Sequence, residues 1–164
     1  MKNNHREILR FRSNSMVALL MAITICILYA QAIRADQCHK VYDAAERLRM
    51  WDVAEYWAEK AWSIFPVEKE PRSFIGRAKI ETGDVIGATA VLEDLTDDYP
   101  YHMNGLINLA WAYRLQGENE KAMKCYERAL AIRPEDKKAL GGYYAAYRSN
   151  QNRITPPLSG STAP

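Results

Sequence analysis

Three prolines, Pro66, Pro100 and Pro134, stand 34 residues apart. Ala54, Ala88 and Ala122 keep the same spacing, each 12 residues before its proline, and Ala61, Leu95 and Ala129 keep it again, five before. With seven prolines in 164 residues, two further hits at preset sites have odds of roughly 0.2%. A period of this length means that the chain builds its interior from copies of one small supersecondary unit. Counting each proline as position 32 gives units 35–68, 69–102 and 103–136.

Within a unit the pattern predicts two amphipathic helices joined by a short turn. Gly83 and Gly117 suit left-handed backbone at the end of a first helix. Asp52, Asp84 and Asn119 are the expected N-caps of the second helices. Ala122 and Ala129 are small enough to let paired helices approach, while Tyr113 and Tyr126 fill the gaps between them. Each proline fixes φ and lacks the donor that a continuing helix needs, so it ends the hairpin. One hairpin cannot bury its own apolar face, whereas three stacked hairpins can.

Leu106, Leu109 and Ala110, Tyr113, Gly117, Ala122, Tyr126, Ala129 and Pro134 fall where the tetratricopeptide repeat family places large, large-small, aromatic, Gly, Ala, aromatic, Ala and Pro residues. The third unit closely resembles that family. The second unit matches at Ile75, Gly76, Gly83, Ala88, Leu92, Leu95 and Pro100, with Lys79 at the aromatic position. The first matches at Val41, Ala54, Ala58, Ala61 and Pro66, with Tyr42 where a small residue is usual and Arg49 where Gly is usual. The resemblance implies an all-α fold: a right-handed α-solenoid of three helical hairpins. Residues 137–149 continue the period through Leu140, Tyr143 and Tyr147 and are expected to form a C-terminal capping helix. Gly141 and Gly142 should weaken that helix by roughly 1–2 kcal/mol relative to alanines. The polar, Pro- and Ser-rich segment 150–164 is expected to be disordered.

Residues 1–35 hold five Lys and Arg against one acid and precede the repeat body 36–149. Within them Met16 to Ala30 is a 15-residue apolar run, shorter than the roughly 20 residues of a membrane-spanning helix and within the range of a signal-peptide core. Small residues at Ala30 and Ala32, and at Ala35, suit a signal peptidase. Extending the run to Ile33 gives 18 residues, long enough for a thin bilayer. A signal cleaved near Ile33 or Asp36 and an uncleaved inner-membrane anchor both stay open. Either leaves the body exported, periplasmic or secreted. Residues 36–164 hold 17 Lys and Arg against 19 Asp and Glu, so charge gives no case for nucleic acid as a partner.

No constellation of acids, bases or nucleophiles points to catalysis, and no ligand spacing points to a metal or cofactor. His39 and His102 read as ordinary surface histidines, and Asp94, Asp97 and Asp98 as a solvated turn. Cys38 and Cys125 lie in units one and three, too far apart for a bridge within the chain, which leaves an intermolecular disulfide or free thiols. The resemblance places the site on the concave face, lined by first helices. It implies a partner-binding groove of Arg77, Ile107, Trp111, Arg114 and Leu115, with Lys138 and Arg148 added by the cap. The apolar patch of Trp111, Ile107 and Leu115 would be flanked by Arg77, Arg114 and Arg148. Chaperone-binding members of the family hold a terminal carboxylate with Lys, Asn and Arg. Here those positions carry His39, Lys40 and Asp43, then Ser73, Phe74 and Arg77, so the clamp is absent. The implied function is a non-catalytic protein–protein interaction scaffold, exported to the envelope, that takes a protein or peptide segment in its groove. The alternative is an accessory subunit of a secretion or pilus assembly apparatus, type III secretion included.

Overall fold

A computed structural model describes residues 2–64, 66 and 69–154, with side chains from Leu20 onward except at Ala22, Tyr29 and Ile154. The described residues form helices α1 (Lys2–Arg47), α2 (Trp51–Ile64), α3 (Glu70–Thr82), α4 (Val85–Asp98), α5 (Met103–Leu115), α6 (Asn119–Ile132) and α7 (Lys137–Ile154), with no strand among them. Each helix packs on the next along the chain, and α3 also meets α5, and α5 meets α7. That is an all-α solenoid, with the first helix of each unit sharing one side. Pro66, Pro100 and Pro134 all lie in the connections between hairpins.

The turn inside each hairpin follows the period more closely than its sequence does. Gly83 and Gly117 have φ of 93° and 79°, and Arg49, at the same register position of the first hairpin, has φ of 57°. The path of the chain into α2 thus demands left-handed backbone whether or not a glycine is present. A side chain costs about 1 kcal/mol there. Arg49→Gly is therefore expected to stabilise the first hairpin by about 1 kcal/mol, read as a rise in the midpoint of thermal or urea unfolding. A midpoint that falls would show that Arg49 makes a compensating contact.

The N-caps depart from expectation at two places. Asp84 caps α4, accepting from Gly87 N at 2.9 Å. Asp52 and Asn119 instead lie inside the first turns of α2 and α6. The cap position one period after Asp84 is Glu118, whose side chain makes no cap bond. Asn119 is buried, and among the described residues its Oδ1 has no hydrogen-bond partner. Both residues are out of register with the cap by one or two positions, which on a helix points the side chain elsewhere.

Neither end of the chain breaks where composition changes. α1 runs without interruption through the boundary expected at residue 35, in keeping with a sequence whose first proline is Pro66 and first glycine Gly76. Leu20, Met21, Ile23, Ile25, Ile27, Leu28 and Ile33 are exposed along it, and packing begins at Ala35, Cys38, Tyr42 and Ala45. Among the described residues no helix is long and apolar enough to cross a membrane, and the expected run begins at Met16–Leu19, where side chains are not described. At the other end α7 extends to Ile154, five residues beyond the expected cap at 137–149. Segment 149–153 has no proline or glycine to stop it, and Arg153 Nη1 donates to Gly117 O at 3.1 Å. The rest of the segment expected to be disordered, 155–164, lies outside the described residues.

Two apolar clusters form the interior. One gathers Cys38, Tyr42, Ala45, Ala54, Ala58, Ala61 and Ile75; the other runs from Ile80 through Leu92, Leu106, Tyr113 and Tyr126 to Ala146. Tyr42 replaces the usual small residue because Ala54, Ala58 and Ala61 of α2 leave room beside it. Its ring is fully buried, 4.5 Å from that of Phe74. Helix α3 joins the clusters through its cations. Arg77 pairs with Glu46 of α1 at 2.9 Å, Lys79 with Glu55 of α2 at 2.7 Å and Arg72 with Asp98 of α4 at 2.6 Å. Arg72 and Arg77 also lie over the rings of Trp62 and Trp51. Lys79 thus fills an aromatic position with its stem and keeps its charge by pairing. The bond to Glu55, and then Asp84, raises its pKa. Asp98 is correspondingly no idle member of a solvated turn.

Candidate binding groove

The first helices α3 and α5, with α7 and the end of α1, surround a groove of about 620 Å³. Of the seven residues expected to form a partner site, Arg77, Ile107, Trp111, Arg114 and Lys138 line it together. Leu115 and Arg148 are exposed but lie outside its lining, since they occupy the ends of α5 and α7 beyond the point where the helices converge. Ile107 and Trp111 are half-buried and pack against the larger apolar cluster. Trp111 therefore has one side on the interior and one on the groove.

The charge of the groove is arranged differently from the expected row of three arginines. Arg77 is neutralised by Glu46 and approached by Glu81 at 3.9 Å. Arg114, Lys137 and Lys138 also line the groove, and among the described residues none of them pairs with a carboxylate. The uncompensated cations thus gather at the α5–α7 end. Arg114 lies beside the Tyr126 phenol. Burial pushes the Tyr126 phenol up, against the opposing pull of the Arg114 charge. On the opposite wall Asn108 Nδ2 donates to Ser73 O and Oγ, each at 3.3 Å, tying α5 to α3.

Sequence reasoning missed Tyr126 and Gly142 as lining residues. A Cβ at Gly142 would sit 2.2 Å from Tyr126 Cζ. The glycine is what lets the ring lie against the α7 backbone. A glycine one period from no other glycine, opposite an aromatic, was the available signal.

His39 and His102 are structural. His39 bonds the Tyr42 hydroxyl and lies 3.8 Å from Asp43. His102, expected at the surface, is buried and caps α5, its Nδ1 accepting from Gly105 N at 2.9 Å. Burial lowers its pKa below the ordinary 6.5, with Glu70 opposing and Lys69 assisting. Because the folded pKa is depressed, the contribution of the neutral form is complete above pH 6.5 and is lost as pH falls. The melting temperature is expected to drop on acidification from pH 7 to 5. His102→Asn, which keeps a capping side chain that does not titrate, should flatten that segment of the profile. An unchanged slope would assign the acid sensitivity to another group. Cys38 and Cys125 are both buried free thiols, in separate clusters, and burial raises the Cys125 pKa. Neither is placed to join a second chain.

Residues 104–136 match the family model for the tetratricopeptide repeat. No curated protein matches the chain. Among solved structures it is similar to the tetratricopeptide domain of Sgt2 from Aspergillus fumigatus, at TM-score 0.70 and 18% identity, over 79% of this chain and 90% of that one. It is similar to the tetratricopeptide domain of Arabidopsis OM64, at TM-score 0.68 and 13% identity, over 72% and 98%. A third is the first such domain of Spaghetti (RPAP3) bound to the HSP90 peptide SRMEEVD, at TM-score 0.65 and 14% identity, over 74% and 93%. The chain folds as a tetratricopeptide-type α-solenoid, with its third hairpin matching that repeat outright.

Proposed function

We propose that the protein is a non-catalytic interaction scaffold that holds a segment of a partner protein in the groove between α3, α5 and α7. The observation that carries this reading is the convergence, in one groove, of a half-buried Trp111 and Ile107 with the cations Arg114, Lys137 and Lys138, none of them neutralised by a carboxylate among the described residues. Aromatic and arginine side chains beside one another are the usual anchors of a protein interface. A groove formed by packed helices also needs little ordering to bind. That a solved solenoid of this fold is bound to an HSP90 peptide supports a peptide-binding role. The clamp positions are otherwise engaged, His39 beside Asp43 outside the lining and Ser73 bonded by Asn108 of α5, which favours an internal segment over a chain end.

The repeat body is read as exported, with the N-terminal segment as its anchor. An unbroken α1 through both candidate cleavage sites, and a buried Ala35 beside the second, support retention of that segment. Crosslinking in the native host tests the groove. Trp111→Ala with Arg114→Ala should lower recovery of the captured partner about tenfold while helicity is kept. Equal recovery from both forms would rule the groove out.

A further inference from the structure

Helix α7 stands where a fourth unit would have its first helix, yet among the described residues nothing stands where that unit would have its second. In α5 the stack buries Leu106, Leu109, Ala110 and Tyr113, none more than 8% exposed. One period on, Leu140 and Tyr143 are only half-buried, while Tyr144 is 61% and Tyr147 47% exposed. α7 packs on α6 and α5, and no other described element covers its remaining side. Where α5 gives way to a left-handed Gly117, α7 has Gln151 and continues as helix.

Charge states what kind of helix fits that side. α7 carries Lys137, Lys138, Arg148 and Arg153 and no acid, whereas residues 36–136 hold 13 Lys and Arg against 19 Asp and Glu. Arg148 falls on the stripe of Leu140 and Tyr144, four residues beyond Tyr144. It pairs with no carboxylate among the described residues. A second copy of α7 would meet this stripe with like charge. The chain itself shows what seats on a tyrosine at this register. Tyr42, the counterpart of Tyr144 in the first unit, is buried in one cluster with Ala54, Ala58 and Ala61 of α2. Helix α2 carries Asp52, Glu55 and Glu59 against a single Lys60.

We propose that the outer face of α7 docks an acidic amphipathic helix of a partner protein, with small apolar residues along its seam, which completes a fourth hairpin. This surface is separate from the groove and does not depend on it. A fluorescent, helix-stabilised peptide of residues 51–64 serves as probe, titrated against the full-length protein by anisotropy. Saturable binding is expected, weakened at least about tenfold by Tyr144→Ala with Tyr147→Ala, and lowered also by Arg148→Glu. All three side chains are exposed, so circular dichroism should show these variants folded. A probe with Asp52, Glu55 and Glu59 changed to Lys should regain binding to the charge-reversed protein, and Trp111→Ala with Arg114→Ala should bind the original probe as wild type does. Absent binding, binding indifferent to both α7 variants, or binding lost only with the groove variant would each overturn the proposal. Self-association abolished by the tyrosine variant would assign the face to a second copy instead, and a tenfold gain on ending the chain at Ile154 would assign it to residues 155–164.

Discussion

Ala122→Glu is expected to unfold the larger apolar cluster and lower the melting temperature by roughly 10–15 °C, equivalent to about 4 kcal/mol. Ala122 is fully buried in α6, in one cluster with Ala110, Tyr113 and Tyr126. A glutamate there must either lose its hydration without a partner or force the helices apart. Stability in a stacked array is the sum of local and nearest-neighbour contributions. The smaller cluster around Tyr42 and Ala58 should therefore outlast the larger one, and unfolding should become two-step by circular dichroism. Lys124→Glu, exposed on the same helix, is the control, expected within about 0.5 kcal/mol of wild type. A single unshifted transition for Ala122→Glu would contradict the packing.

Adjacent glycines in α7 should respond with opposite sign. A methyl at Gly141 meets nothing within 4 Å, so Gly141→Ala gains helix propensity and should stabilise by about 1 kcal/mol. At Gly142 the same methyl would overlap the Tyr126 ring, with Cζ at 2.2 Å and Cε1 at 2.5 Å. The ring is buried, so α7 must lift away. Gly142→Ala should destabilise by roughly 1–3 kcal/mol despite the better propensity. It should also reduce partner capture, because α7 forms one wall of the groove. Chemical unfolding of the two single variants decides it, and the same sign for both would refute the close approach of ring to backbone.

The architecture could be read from the chain because its period is written in residues with only one local use. Pro66, Pro100 and Pro134 cannot lie in a helix interior, and Gly83 and Gly117 mark the left-handed turn. What one residue cannot reveal is its long-range partner. Arg77 looked like a free groove cation until Glu46, 31 positions earlier, came to lie 2.9 Å away. Lys79 looked like a missing aromatic until Glu55 came within 2.7 Å. His102 looked like a surface histidine because nothing local shows the packing that buries it at the start of α5. Asp52 and Asn119 misled for a simpler reason: side-chain type was read without register. The groove followed from the repeat positions of Trp111, Arg114 and Lys138, but its width did not, because that depends on Gly142 lying against Tyr126.

Near-identical modules face a problem of order, since any hairpin offers much the same apolar surface to any other. The cations of α3 resolve it. Between the first and second units Arg77–Glu46 and Lys79–Glu55 meet across the junction, with two arginines over tryptophans. Between the second and third units, among the described residues, no ion pair crosses; Asn108 with Ser73, Gln116 with Thr89, Tyr113 with Glu93 and Arg128 with the Pro100 carbonyl take over. Ion pairs of this sort add little net stability, but an unmatched half is costly to enclose. A shuffled stack would strand charges at one interface and leave amides unanswered at the other, so polarity works here as a key that admits a single sequence of neighbours.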